Sequence, residues 1–88
     1  MESYGIAAFR SRQSVLRFDE QLRQAGLSTS VVSTPRAISM GCGLSVRFDR
    51  RQLASVIEIY HTHPIQNLIG FYIAEEIDGR INVSSIRL

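Results

Sequence analysis

The order in which strand-like and helix-like segments follow one another constrains the fold of this chain more than any other feature. Apolar or alternating segments, which are typical of strands, occupy residues 4–9, 27–34, 43–48 and 67–77. Helical periodicity appears between the first and second segments, and again between the third and fourth. This β-α-β-β-α-β order predicts an α+β fold, a ferredoxin-like sandwich with both helices on one face of an antiparallel sheet.

The first helix is predicted from its two ends and from its apolar spacing. Ser11 can cap its N-terminus, and Gly26 is a residue type that commonly stops a helix. Between them, apolar residues recur every three or four positions, at Val15, Phe18, Leu22 and Ala25. We therefore expect these four side chains to share the face that packs on the sheet.

The second helix is expected over residues 50–63. Asp49 followed three positions later by Gln52 forms a capping-box pattern. Pro64 should end the helix, because a proline disfavours helical geometry in the residue before it. The apolar stripe is predicted at Leu53, Val56, Ile57 and Tyr60.

The C-terminal residues predict a hairpin and a fifth strand. Asp78-Gly79 is a turn signal, and residues 80–88 alternate apolar and polar side chains in part. The free edge of such a strand would allow two copies to pair as a homodimer. With 88 residues, the chain is expected to form a single ferredoxin-like domain over residues 1–88.

Composition and charge exclude several classes of protein. The net charge of +2 is too small to argue for nucleic-acid binding, and no apolar run approaches the roughly 20 residues that span a bilayer. The first residues lack the pattern of a signal peptide. A single cysteine rules out a disulfide within the chain, so a cytoplasmic location is expected. No cofactor is predicted.

The single cysteine, Cys42, is the residue whose chemistry stands out. It lies between Gly41 and Gly43 on the predicted loop before the third strand, where a partner could approach the sulfur closely. Arg36 and Arg47 bracket the loop, and a nearby cation lowers the pKa of a thiol. The other interpretation is a buried structural cysteine, because free cysteine is among the most buried residue types. Residue patterns alone leave both open.

The two histidines do not turn this cysteine into a hydrolase or a metal site. A cysteine hydrolase needs a histidine near the thiol. His61 and His63 lie at the end of the second helix, where solvent-facing histidines favour the helix dipole. Two histidines and one cysteine at unrelated positions are weak evidence for a metal site, and none is predicted.

Residues 34–48, "TPRAISMGCGLSVRF", resemble a family of small, mostly bacterial domains described as selenium/sulfur carrier-like proteins. The shared pattern is Pro-Arg-x-Ile-Ser-x-x-Cys-Gly-Leu followed by an arginine, and the resemblance extends over about residues 4–73. In this sequence the pattern falls on Pro35, Arg36, Ile38, Ser39, Cys42, Gly43, Leu44 and Arg47.

The resemblance implies a carrier rather than a turnover enzyme. Cys42 would take up sulfur or selenium as a persulfide or selenosulfide from a cysteine desulfurase-like donor and pass it to an acceptor protein. The other roles it implies are room for the partner at Gly41 and Gly43, stabilisation of the sulfur anion by Arg36 and Arg47, and a hydrogen bond from Ser39.

A binding module is the competing hypothesis. Domains of this fold also bind small ligands or proteins, and in a regulatory module of that kind the cysteine would be structural. RNA binding would need exposed aromatic side chains on the sheet. The alternation of the strands instead predicts that Phe9, Phe48, Phe71 and Tyr72 pack in the core.

Overall fold

The fold is described from a computed structural model, which describes residues 2–38 and 43–87. The elements are, in order, β1 (Glu2–Phe9), α1 (Arg12–Gln24), β2 (Thr29–Ser33), β3 (Leu44–Asp49), a 3₁₀ turn (Arg50–Gln52), α2 (Leu53–Thr62), β4 (Leu68–Ile77) and β5 (Arg80–Ile86). The strands form one antiparallel sheet in the order β2-β3-β1-β4-β5. The predicted α+β class and the fifth strand are therefore confirmed.

The strand order brings three connections to one end of the sheet. β1 ends there, β2 leads into β3 there, and α2 leads into β4 there. We call this the loop end and define it as residues 10–12, 34–38, 43 and 63–67. The opposite end, where β3 and β4 finish, is called the ion-pair end. The segment that contains Cys42 joins β2 to β3, and the described residues on either side of it, 34–38 and 43, belong to the loop end.

Both ends of α1 form as the sequence predicts. The Ser11 side chain accepts a hydrogen bond from the Ser14 backbone N–H at 3.4 Å. At the other end, Gly26 has a φ of +86°, and the N–H of Leu27 reaches the Leu22 carbonyl at 3.0 Å. This bond closes a Schellman motif. Ala25 is exposed at the C-cap, so the buried face consists only of Val15, Phe18 and Leu22 among the predicted positions.

The start of α2 differs from the predicted capping box. Asp49 does cap, with its Oδ1 accepting from the Arg51 backbone N–H at 2.8 Å. Gln52 Oε1 is buried without a partner among residues 2–38 and 43–87, so the reciprocal bond is absent there. The first turn is a 3₁₀ helix, and α2 itself begins at Leu53.

The buried stripe of α2 also differs at one position. Val56 is fully buried, and the half-buried side chains of Leu53, Ile59 and Tyr60 pack against the same core. The spacing of apolar residues in the sequence predicts Ile57 on this stripe, whereas in the structure Ile59 occupies it. Consecutive helical residues lie about 100° apart, so Ile57 turns away from the direction of Val56, whereas Ile59 returns to it.

The main core lies between the sheet and the helices. Phe9, Phe48 and Phe71 are buried there, as predicted, whereas Tyr72 is half-buried with the cluster on the opposite face of the sheet. Gly5 lies beside Phe48 in the β1–β3 pairing, and a side chain there would overlap the Phe48 ring. The close approach of strand and ring therefore requires glycine.

The opposite face of the sheet, here called the open face, carries a second apolar cluster. Tyr4, Ile6, Ala8 and Ala74 are buried in it. Half-buried side chains pack over these small and medium residues, and one of them, Ile38, comes from the loop after β2. A register shift after Ala8 lets Ile69 join this cluster.

Two further observations concern the surroundings of the chain. Over the described residues, no helix is both long and apolar enough to cross a membrane.

β5 lies at the edge of the sheet and pairs with β4, so it has the position assumed for the homodimer contact. The homodimer itself stays a prediction.

Candidate functional site

The candidate site is the loop between β2 and β3, of which the structure describes the flanks. Three of the predicted site residues, Ser39, Gly41 and Cys42, lie outside the described residues. Arg36, Gly43 and Arg47 lie within them. The described part of the site therefore consists of residues 34–38 and 43–47.

The base of the loop is fixed by two hydrogen bonds of Thr34. Its backbone N–H donates to the Gly43 carbonyl at 2.9 Å, which extends the β2–β3 pairing by one step. Its Oγ1 lies 2.6 Å from Ser45 Oγ, and Ser45 is fully buried. The two flanks of the loop are thus joined to each other at Thr34 and Gly43, and Cys42 directly precedes Gly43 in the chain.

The first half of the loop is a hydrogen-bonded turn that is anchored on the open face. The Ile38 N–H donates to the Pro35 carbonyl at 2.9 Å, which is the bond of a β-turn. The half-buried Ile38 side chain packs against the open-face cluster. Arg36 occupies a central position of the turn and is exposed. The contact of Ile38 with the sheet fixes the turn, and the turn holds Arg36 on the surface.

A small side chain at Gly43 would make only ordinary contacts. A Cβ at this position would meet the Thr34 side chain at ordinary contact distance, with Oγ1 at 3.4 Å. Gly43 is also exposed. The backbone next to Cys42 is thus accessible on the described side, as an approaching partner would need.

Arg47 has contacts that point away from the loop. Its Nη2 lies 2.9 Å from Glu2 Oε1, and its guanidinium stacks over the Tyr4 ring at 3.8 Å from the centroid. Four residues of extended strand separate Arg47 from Gly43, which is about 13 Å. Glu2 lies at the ion-pair end of β1. The structure therefore brings Arg36 and Gly43 to the loop, whereas the guanidinium of Arg47 is engaged elsewhere.

Sequence analysis missed the residues that fix the loop. Ser45 alternates with apolar neighbours in β3, a pattern that predicts an outward-facing polar side chain, but it is fully buried. Thr34 was assigned only to the end of a strand. The pair is separated by eleven positions, and only the strand register brings the two hydroxyls together.

The histidines lie near this end of the molecule but form no metal centre that the structure shows. His61 and His63 are exposed at the end of α2. Within the part of the chain that the structure describes, no three side chains of His, Cys, Asp or Glu cluster at metal-binding distances.

Comparison with known proteins assigns the chain to a family. Residues 4–69 match the sequence model of a family described as "Putative Se/S carrier protein-like". This match includes the whole loop from Thr34 to Gly43 and confirms the resemblance seen in residues 34–48; β5 lies beyond it. A search of curated proteins and a search of solved structures returned no significant match.

Proposed function

Since this chain belongs to the Se/S carrier protein-like family, we propose that Cys42 is the residue that carries the sulfur or selenium. One observation supports this assignment above the others. Cys42 is the only cysteine of the chain, and it falls in a matched loop whose base is fixed to the sheet by Thr34. Loops on a rigid scaffold are where proteins place residues that react.

The proposed step transfers one sulfur atom from a donor persulfide to the Cys42 thiolate, without net oxidation. The Cys42 thiolate attacks the outer sulfur of a persulfide on a cysteine desulfurase-like donor. The bond between the two donor sulfurs breaks, its electron pair leaves with the donor cysteine as a thiolate, and Cys42 becomes a persulfide. An acceptor nucleophile later attacks the outer sulfur and releases the Cys42 thiolate. A selenosulfide forms and reacts in the same way.

The neighbours of Cys42 have proposed roles in this exchange. Gly41 and Gly43 leave room for the active site of the donor or acceptor, in keeping with the exposure of Gly43. Arg36, exposed on the turn, supplies the cation that favours the thiolate, and Ser39 donates a hydrogen bond to the sulfur. The contacts of Arg47 with Glu2 and Tyr4 favour a structural role for it, so its predicted role at the sulfur stays a prediction.

We also propose that residues 1–88 act as one ferredoxin-like domain. The sheet order supports this, because β1 and β2 run in the same direction with β3 between them, and β3 and β4 do so with β1 between them. These are two interleaved split βαβ units. A single rigid domain with one reactive loop suits a cytoplasmic carrier that visits two partners.

The experiment that tests the assignment measures the mass of the intact protein. The protein is incubated with a purified cysteine desulfurase and cysteine, separated from the donor and analysed by mass spectrometry. We expect a gain of one sulfur atom, located on Cys42 by peptide mapping. Cys42→Ser is the matched control, because it keeps the size of the side chain and removes the only thiol.

The outcomes separate the carrier from the binding module. A protein that gains no sulfur, although the desulfurase produces sulfide, contradicts the proposal. If, in addition, native Cys42 does not react with iodoacetamide at neutral pH, the thiol is inaccessible or fully protonated. A ligand-binding or protein-binding module with a structural cysteine would then be the better description.

A further inference from the structure

The charges of the molecule are distributed unequally between the two ends of the sheet. None of the eight acidic residues of the chain lies in the loop end. Its residues include three exposed arginines, Arg10, Arg12 and Arg36; Arg87, also exposed, follows β5 at the same end of the sheet but at the edge opposite β2. By contrast, five acidic residues lie at or beside the ion-pair end, at Glu2, Asp49, Glu75, Glu76 and Asp78.

The ion pairs follow the same division. In the described residues, three arginines near the ion-pair end have carboxylate partners: Arg47 with Glu2 at 2.9 Å, Arg50 with Glu75 at 4.0 Å and Arg51 with Asp49 at 3.0 Å. A fourth pair, Arg23–Asp19, lies within α1. For residues 2–38 and 43–87, no ion pair involves an arginine of the loop end. Their charge is therefore not neutralised by these residues.

Arg10 lies beside the base of the Cys42 loop. Ala8 pairs with Ser45 in the last pair between β1 and β3, and Arg10 and Gly43 each lie two positions beyond this pair at the same end of the sheet. The backbone of Arg10 is also fixed on the other side, where its N–H donates to the Asn67 carbonyl at 2.8 Å. This arginine is thus held by the sheet at the edge of the reactive loop.

Arg12 adds positive charge at a place where helix energetics disfavours it. It is the first residue of α1, and the first turn contains no acidic residue. The N-terminus of a helix carries a partial positive charge, so a cation there costs a few tenths of a kcal/mol or more. Residues that oppose a local preference such as the helix dipole are expected mainly at functional or strained sites.

We propose that the loop end is a docking surface for an acidic protein surface, namely the one that surrounds the persulfide-bearing or accepting cysteine of the exchange partner. This inference rests on the proposed function, which it deepens by naming the chemistry of the partner. Arg10, Arg12 and Arg36 attract the carboxylates of the partner. Complementary charge speeds association and fixes the orientation of the two proteins, so the outer sulfur arrives facing Cys42.

The features of the loop end favour a protein over a nucleic acid as the partner. Recognition of single-stranded RNA uses exposed aromatic side chains on which bases stack. Phe9, Phe48 and Phe71 are buried in the core. The loop end has only three arginines, and the net charge of the chain is +2. Three arginines are enough for a local contact with a few carboxylates. An extended phosphate backbone is usually bound by a longer row of positive charges.

A first test measures binding without any sulfur chemistry. Short poly-glutamate is titrated into the isotopically labelled protein, and backbone amide shifts are followed by NMR. We expect the shifts to concentrate at residues 10–12, 34–38 and 43, and to disappear at high salt because surface charges are screened. Equal shifts around Arg17 and Arg80, or no shifts at all, would overturn the proposal.

Charge reversal provides matched variants for the same titration. Arg10→Glu with Arg12→Glu reverses two of the three loop-end charges, and Arg17→Glu with Arg80→Glu changes the net charge equally at exposed sites elsewhere. We expect only the first pair to abolish the poly-glutamate shifts. The corresponding double glutamine variant and a thermal unfolding curve for each protein show whether a loss of binding reflects a loss of folding.

A second test measures whether docking speeds the transfer of sulfur to Cys42. Cys42 is loaded either by a cysteine desulfurase or by a small alkyl persulfide that has no carboxylates and no docking surface. We expect the loop-end variant to be loaded at least about tenfold more slowly by the enzyme, as electrostatic steering predicts, and at close to the wild-type rate by the alkyl persulfide. Equal enzymatic rates for the two charge-reversal variants would refute docking and leave the carrier proposal intact. Absence of loading from both donors would instead refute the carrier proposal.

The nucleic-acid alternative is decided by one further probe. Single-stranded poly-uridine of matched charge is titrated under the same conditions. Binding that is tighter than that of poly-glutamate, with shifts at the loop end, would overturn the assignment to an acidic protein. Weaker binding, or binding without such shifts, supports it.

Discussion

The two ends of the sheet use the same residue type in different ways. At the ion-pair end, Arg47, Arg50 and Arg51 have carboxylate partners, and Arg47 also covers the Tyr4 ring. At the loop end, arginines stand exposed beside the loop that contains Cys42. The arginines at one end are paired with carboxylates of the same chain, whereas for Arg10, Arg12 and Arg36 the described residues contain no such ion pair. Changes at the two ends should therefore affect different measurements.

Gly5→Ala should have the largest effect on stability. The added methyl group would overlap the buried Phe48 ring, and both groups lie in the middle of the sheet. We expect the free energy of unfolding, measured by urea denaturation, to fall by about 3 kcal/mol. The folded fraction should still accept sulfur at Cys42.

Gly70→Ala is the matched control for this substitution. Gly70 also lies in the sheet, but its added methyl group would approach the flexible end of Tyr72, with Oη at 3.1 Å. That side chain can move, so we expect a clearly smaller loss. Equal losses for the two variants would show that the Phe48 contact is not what requires Gly5.

Thr34→Val should weaken the base of the Cys42 loop. Valine matches threonine in shape but leaves the hydroxyl of the buried Ser45 without its partner. We expect a loss of about 1–2 kcal/mol in unfolding free energy, since an unsatisfied buried polar group is costly. Sulfur loading of Cys42 should slow as well, because the hydroxyl pair fixes the point where the loop rejoins the sheet.

The double variant Thr34→Val with Ser45→Ala tests the reason for this loss. Removing both hydroxyls leaves no unpaired group, so stability should recover most of the difference. A double variant that is less stable than Thr34→Val alone would contradict the account of the loop base.

Much of the fold could be predicted because its signals are local. Ser11, Gly26 and the Asp78-Gly79 turn each act within a few residues, and each is found as expected, with Asp78 and Gly79 at φ of 51° and 79°. The differences arise where packing decides. Ile59 replaces Ile57 on the core face of α2, and Glu2 and Ser3 extend β1 because partners in β4 are available.

The site was less predictable, because its contacts are distant in sequence. Arg47 is close to the Cys42 loop in the sequence, yet its partner, Glu2, lies 45 positions away on a neighbouring strand. The Thr34–Ser45 pair likewise depends on strand register. The motif in residues 34–48 does point to the family whose model matches residues 4–69, whereas the role of the loop stays a prediction.

Arg47→Gln should distinguish the two possible roles of this arginine. Loss of the Tyr4 stacking and of a partly exposed ion pair should lower the unfolding free energy by about 1 kcal/mol. We expect the rate of sulfur loading to be unchanged, whereas Arg36→Gln should slow it with little loss of stability. A slower rate for Arg47→Gln than for Arg36→Gln would show that Arg47 acts at the sulfur.

Asp49 gives the smallest expected effect, visible as a dependence on pH. Hydrogen bonds from the Arg51 side chain and backbone lower the pKa of Asp49 below its usual value. A lowered pKa in the folded state stabilises the fold above the unfolded pKa, and this contribution is lost as the pH falls through the folded pKa.

Asp49→Asn is the variant that isolates this charge, because asparagine can still cap the turn. We expect it to be slightly less stable than the wild type at neutral pH, with the difference in urea midpoint closing as the solution becomes acidic. A difference that is constant with pH would contradict the ion pair at Asp49.

The central claim is that Cys42 both accepts and passes on sulfur, and a labelled transfer cycle tests it most directly. The protein is loaded by a desulfurase with isotopically labelled cysteine, purified, and mixed with a thiol acceptor while the masses of both are followed. The account predicts one labelled sulfur on Cys42 that leaves it and appears on the acceptor, with Cys42→Ser acquiring none. A label that never reaches Cys42, or that remains there in the presence of the acceptor, would contradict it.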